Sequence, residues 1–382
     1  MNKPLIITIA IGILLLALGS WVYLFLFGAP QTPDEVFTDL GITPISDENI
    51  SLNATGTTEL PALDLTGAAF QQLTLRPVAG YVPRSANQVV YMEKGTGHLF
   101  SIDTSTSQET RLTNTTIPVA TTGYLNADAS AMVVVRGLPG ERAVLIGQRT
   151  GDTLDQTSLP PTAENFIFTS TSTLVYTVAD QSGSRGYEYN LATDTQRELF
   201  VVPFSDIDVH ITSNAVYVSN QPATGLEGAL YEVRGTTLTP VSNPHFGFVA
   251  LVTDSQYARS SVREGQLQSV IASLTNTETT LIAPVVVPEK CTWRDATLLC
   301  ASPFTVDTPN YIENWYQGVV RSNDVLWQID PNTGGAQMLD NPETVLGRPL
   351  DMERLSRTAA GELFFINRLD NSLWRYVERT QE

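Results

Sequence analysis

Similar short apolar strands recur along this chain at a nearly constant interval, and that spacing restricts the fold more than any other feature. The segments are QVVYME from Gln88, AMVVVR from Ala131, TLVYTV from Thr173, AVYVSN from Ala215, QYARSS from Gln256, TLLCAS from Thr297 and ELFFIN from Glu362. Successive starts lie 43, 42, 42, 41, 41 and 65 residues apart. Each is preceded by a strand ending in a polar turn and followed by a third, such as HLFSID, ALYEVR or SLWRYV, and then a fourth, such as ETRLTN. Four antiparallel strands every ~42 residues is the arithmetic of a β-propeller, in which each unit is one blade. Seven units are counted; six- or eight-bladed rings and a pair of β-sandwiches are the alternatives. The last unit has three strands, and FQQLTLRP, residues 70–77, reads as its fourth. Pairing outside SLWRYV would close the ring and remove the edge that an open array exposes.

Composition agrees with an all-β chain. Thr occurs 46 times, and charged residues make up 16% of the sequence, below the ~25% of an average soluble domain. The predicted architecture is a seven-bladed β-propeller of four-stranded antiparallel blades over residues 62–382, preceded by one N-terminal transmembrane helix. That helix is residues 5–27, a run without a charge that at ~1.5 Å per residue spans the ~30 Å hydrocarbon layer. Lys3 precedes it, no Lys or Arg follows until Arg76, and Asp34, Glu35 and Asp39 flank it. The positive-inside rule then puts residues 1–4 in the cytoplasm and the propeller outside, at the cell membrane. Trp21, Tyr23, Phe25 and Phe27 suit the outer headgroup boundary. A cleaved signal peptide, with a weak site at Ala17, Leu18 and Gly19, is the competing reading, but the apolar run continues beyond it, which fits a retained anchor better. Residues 28–61 read as an extracytoplasmic linker. Within it Thr32, Pro33 and Glu35 supply helix-start signals and Gly41 a stop, predicting a short helix near residues 33–40.

Cys291 and Cys300 are the two cysteines, and CTWRDATLLC lets Trp293 and Leu298 face each other across a tight turn. The spacing suits a cross-strand disulfide in a hairpin, the default outcome in an extracytoplasmic compartment. A metal site needs further ligands nearby, and none is present.

These units resemble the TolB-like, WD40-related repeats in which an SPDG-type turn joins the first two strands; LSRTAAGELFFIN is the nearest match here. A closer resemblance covers most of the chain. VAGY, YMEKGTGHLFSID, RLTNTTIP, KCTWRDATLLCASP, NWYQGV, DVLWQIDPNTG and LFFINRLDNSLWRY are similar to segments of membrane-anchored propeller proteins from candidate-phylum bacteria of the Parcubacteria type. The resemblance implies anchor, propeller and disulfide, and adds no reaction.

The 65-residue interval places an insertion of roughly 20 residues in the loop between the second and third strands of the sixth unit. In a propeller such loops share one face with the inter-blade connections, the usual ligand face. The insertion carries Asp307, Tyr311, Glu313, Trp315, Tyr316 and Arg321, with Asp324 opening the next strand. Exposable aromatics beside carboxylates and an Arg suit sugar stacking or a protein hot spot. The bland reading is a loop that folds back and plugs the opening. His98, in the corresponding loop of the first unit, completes the candidate ligand-binding set, with an acid–base role weighed against a hydrogen bond between blades. His245 is a second inter-blade candidate, and His210 reads as structural.

Nucleophile-elbow, zincin, phosphate-loop, calcium-loop and sialidase-box motifs are missing from the sequence, so no catalytic residue, metal or cofactor is assigned. A glycosidase needs only two carboxylates, for which Asp307, Glu313, Asp324, Asp206 and Asp208 are the pool. A net charge of -18 disfavours nucleic acid and anionic lipid headgroups as partners. The expected function is a non-catalytic binding or scaffolding module for an envelope protein or glycan, with an envelope glycan hydrolase or lyase as the alternative.

Overall fold

The computed structural model describes residues 57–59 and 69–378, apart from residues 86, 139, 276, 277, 295 and 359. The expected membrane helix at residues 5–27 and the short helix near residues 33–40 lie outside the described residues.

Seven antiparallel sheets follow one another along the chain. Blades 1 to 6 span residues 78–111, 120–159, 163–202, 207–240, 245–282 and 291–340. Blade 7 takes three strands from residues 352–376 and its fourth from Phe70–Gln72. In every blade the strand recognised from the sequence repeat is the second, and the first strands adjoin one another around the centre of the ring.

The apolar runs follow from this arrangement, because a blade is buried on both faces and successive side chains point to opposite faces. In Gln88–Glu93, Val89 and Tyr91 join the cluster shared with blade 7, while Met92 joins the one shared with blade 2. In Leu363–Asn367, Leu363 and Phe365 pack toward blade 6, and Phe364 and Ile366 toward blade 1. Blades 1 and 2 approach so closely that a Cβ at Gly80 would lie 2.0 Å from the Gly123 carbonyl oxygen. Only glycine fits there.

The ring closes by pairing Phe70 with Tyr376, Gln71 with Arg375 and Gln72 with Trp374. Leu73 N–H donates to the Leu373 carbonyl at 2.7 Å, and Leu373 N–H donates to Thr74 Oγ1 at 2.9 Å. Phe70 is 1% exposed and packs on the Tyr376 and Phe365 rings. A further segment, Thr57–Glu59, pairs outside Gln108–Arg111 and adds a fifth strand to blade 1.

Cys291 and Cys300 form a disulfide between the first two strands of blade 6, with Cα atoms 4.1 Å apart and Trp293 opposite Leu298. On the chain-entropy view a loop this short contributes about 2 to 3 kcal/mol.

Truncating the closing strand's anchor should weaken the whole ring. Phe70→Ala is expected to cost about 3 to 5 kcal/mol, read as a lower midpoint in urea unfolding; an unchanged midpoint would mean that closure contributes little.

Candidate functional site

The loops between second and third strands and the inter-blade connections share one face, and the blade 6 insertion folds onto it. Its centre is helix α1 (Tyr311–Tyr316), which ends at Gln317 and Gly318, the latter at φ +74°. Tyr311, Ile312 and Trp315 point inward and pack with Val249 and Val287, from the first strand of blade 5 and the blade 5–6 connection.

Under α1 lies a buried charge cluster. Lys290 Nζ donates to Asp324 Oδ2 at 2.5 Å and to Asp351 Oδ1 at 2.7 Å, with all three side chains at most 1% exposed. The two carboxylates also accept from Trp315 Nε1–H at 2.9 Å, Ser322 N–H at 3.1 Å, Met352 N–H at 2.7 Å and the Ser322 hydroxyl. Burial works against the Lys290 ammonium, yet Asp324 and Asp351 hold its pKa above the ordinary lysine value. Burial pushes the Asp324 carboxyl up against the pull of Lys290. The cluster ties the blade 5–6 connection, the insertion and blade 7 together. Removing one member of such a set leaves an uncompensated buried charge, a cost of about 3 to 5 kcal/mol.

The residues expected to bind ligand therefore separate. Trp315 lies over Lys290 and beside Arg368, and Tyr311 donates to Ser322 Oγ at 2.9 Å. Asp324 belongs to the buried cluster. Glu313 accepts from the Thr224 backbone N–H at 2.8 Å, which holds its carboxyl below the usual range and pins the blade 4 loop to α1. Tyr316 donates to Glu289, and Arg321 is exposed. His98 stands apart, in blade 1, against Thr116 at 2.9 Å and Arg111 at 2.8 Å. Burial and Arg111 lower its pKa. The His210 ring is pushed down to about 4 by burial.

Clefts lined by described residues open beside α1 and the buried cluster. The central one, about 530 Å³, is lined by Tyr124, Glu164, Asn165, Asp208, Gln221 and Glu289. Gln221 also lines a groove of about 440 Å³ with Phe204, Asp206, Leu226, Glu227 and Phe248. Glu289 and Thr122 are shared with a third cleft, about 260 Å³, which adds Lys94, Trp315, Glu353, Arg354 and Arg368. Bulges in the first strands shape them. Asn165 and Arg354 sit at φ +53° and +55° in the bulges of blades 3 and 7. Asn165 Nδ2 reaches the Ile207 carbonyl at 2.8 Å, and Arg354 Nη1 reaches the Ala79 and Gly123 carbonyls at 3.1 and 2.9 Å. Arg354 thereby straps blade 7 to blades 1 and 2.

Burial, then Glu289 and Glu164, push the Asp208 carboxyl up to about 7. Burial likewise raises Glu289, against the hydrogen bond from Tyr316. Neither Asp208 nor Glu164 has a side-chain hydrogen bond or ion pair among the described residues. No group of three or more His, Cys, Asp or Glu side chains among the described residues is placed to hold a metal ion. The arrangement can accept an entering cation, or use one protonated carboxyl as a donor. Sequence reasoning placed Asp208 in its carboxylate pool and gave no role to Glu164, Glu289, Lys290 or Asp351. The one available signal was a lone Lys after the apolar run VVVPE, with its partners 34 and 61 residues away.

No protein-family model and no curated protein matches the chain. Among solved structures, it is similar to oligogalacturonate lyase from Vibrio parahaemolyticus, 12% identical, TM-score 0.54, over 80% of this chain and 92% of that one. The β-propeller domain of the Trilobed protease from Pyrococcus furiosus, described as having an open velcro topology, is 8% identical at TM-score 0.53, over 80% and 95%. TolB from Acinetobacter baumannii is a looser match, 12% identical at TM-score 0.44, over 68% and 65%. At these identities the likeness defines a β-propeller and no activity.

Asp208 carries a pH signature. Its pKa is about 7 in the fold against an ordinary 3.8, so between these values the native state holds a proton that the unfolded chain has released, and stability falls as pH rises. Asp208→Asn removes that loss. Its stability relative to the parent should grow from pH 4 to pH 7 and level off above, measured by urea unfolding across pH; a constant difference would mean an ordinary carboxyl.

Proposed function

We propose that this chain is a single-pass membrane protein whose propeller, outside the cytoplasm, is a non-catalytic binding or scaffolding module for an envelope protein or glycan. The uncharged run at residues 5–27 and the disulfide support the location. One observation carries the binding role. Of ten exposed large hydrophobic residues among those described, seven lie on the loop face, including Val119, Leu138, Leu226, Phe246, Phe304 and Val319. Scattered apolar side chains need no explanation, but their segregation to the face that also holds the clefts does.

The second reading, an envelope glycan hydrolase or lyase, is favoured by Asp208 standing near neutrality in a cleft that also holds Glu164 and Glu289, since glycan cleavage needs a carboxyl able to give a proton and a second carboxyl close by. Its mark would be oligosaccharide cleavage abolished by Asp208→Asn.

Photo-cross-linking from the full chain in its own membranes tests the binding role. A benzophenone side chain at Val319 should yield adducts, and one at Thr193, in a turn at the opposite end of blade 3, should not. Adducts from Thr193 alone, or none from any loop-face position, would overturn it.

A further inference from the structure

We infer that the loop face docks a basic polypeptide segment of a partner protein, with a Lys or Arg side chain entering the central cleft between Glu164, Asp208 and Glu289 while apolar side chains cover Leu226 and Phe246. The inference rests on the binding-module reading above and names the partner's chemistry.

Continuity of the surface is the first argument. The groove and the central cleft share Gln221, so together they form one trough running from blades 4 and 5 toward the middle of the ring. Leu226, 70% exposed, lines the groove, and Phe246, 46% exposed, adjoins it where Glu227 pairs with Phe246. An extended segment fits a trough of this kind better than a compact ligand does.

Charge supplies the second argument. The trough carries Asp206, Glu227, Glu164, Asp208 and Glu289. The cation lining it, Arg142, is committed to the backbone carbonyls of Pro161 and Ala163. The Asp208 and Glu164 side chains have no hydrogen-bond or ion-pair partner among the described residues. A cation entering here relieves the repulsion among like charges in a partly desolvated cleft, which rewards a charged side chain more than the open surface does. The net charge of -18 adds long-range attraction for a basic partner and repels anionic lipid. A glycan is the weaker candidate, because Trp315 and Tyr311, the rings that the insertion offers for sugar stacking, are buried, and a neutral sugar would leave the carboxylates of the trough uncompensated.

The test uses the full-length chain in detergent and labelled decapeptides that set Lys or Arg and Leu among Gly and Ser, with charge-reversed Glu versions, read by fluorescence anisotropy. Basic peptides should bind and the Glu versions should not. Glu164→Gln with Asp208→Asn should weaken binding about tenfold or more, and Leu226→Ser, which leaves the carboxylates untouched, should weaken it severalfold. The control Asp155→Asn with Glu198→Gln removes two carboxylates, at least as much charge, from outer strands of blades 2 and 3 and should change affinity by less than about twofold. Equal losses in the cleft and control variants would reduce the effect to diffuse charge and overturn the inference. So would binding of oligosaccharides or phosphatidylcholine vesicles, lost in Leu226→Ser, with no peptide bound. If no peptide binds while loop-face cross-links form, this inference falls and the binding-module reading stands; if both are absent, both fall.

Discussion

A blade in this ring buries both of its faces, so no blade is complete without two neighbours and the ring has to return to its start. Apolar clusters fill the spaces between successive blades, from the one joining blades 1 and 2 around to the one joining blades 7 and 1. Closure depends on a short pairing, Phe70–Gln72 against Trp374–Tyr376, made by segments just over 300 residues apart in sequence. Its strength comes from the side chains under it. Phe70 fills the space between Phe365 and Tyr376, and the backbone pairing continues through Leu73 and Thr74.

The same circular geometry explains the central clefts. First strands converge on the axis, and bulges turn Asn165 and Arg354 sideways to satisfy carbonyls of neighbouring blades. Arg354 and helix α1 fill the side of the opening near blades 5, 6, 7 and 1, whereas the side near blades 2, 3 and 4 stays open and acidic. The unequal filling leaves Asp208, Glu164 and Glu289 facing one space with fewer cations than carboxylates. A binding role follows from that imbalance together with the apolar loop tips around it.

The insertion shows how a residue's type and its role can part. Trp315, Tyr311 and Asp324 read from the sequence as a displayed ligand-binding set, with a plug as the bland reading, and in the fold they surround Lys290. An ammonium buried among apolar strands has to be surrounded by acceptors, and those acceptors need donors of their own. Trp315 Nε1–H and the Ser322 hydroxyl supply them. These aromatic and acidic side chains are consumed in satisfying one buried cation, and the surface is left to Phe304, Val319 and Arg321.

Blade number, blade order, the strand that begins each repeat and the Cys291–Cys300 pairing were legible in the sequence alone, because each depends on local periodicity or on a hairpin of a few residues. Two-sided burial writes itself into the chain as apolar runs at a fixed interval, whatever the rest of the molecule does. The partners of Lys290, the isolation of Asp208 and the joining of the clefts through Gln221 and Glu289 were decided only by the tertiary structure. Those features depend on how far each blade is rotated about the ring axis and where each inner strand bulges. Burial and charge pairing at the centre are sums over several blades at once, and no single stretch of sequence carries that sum.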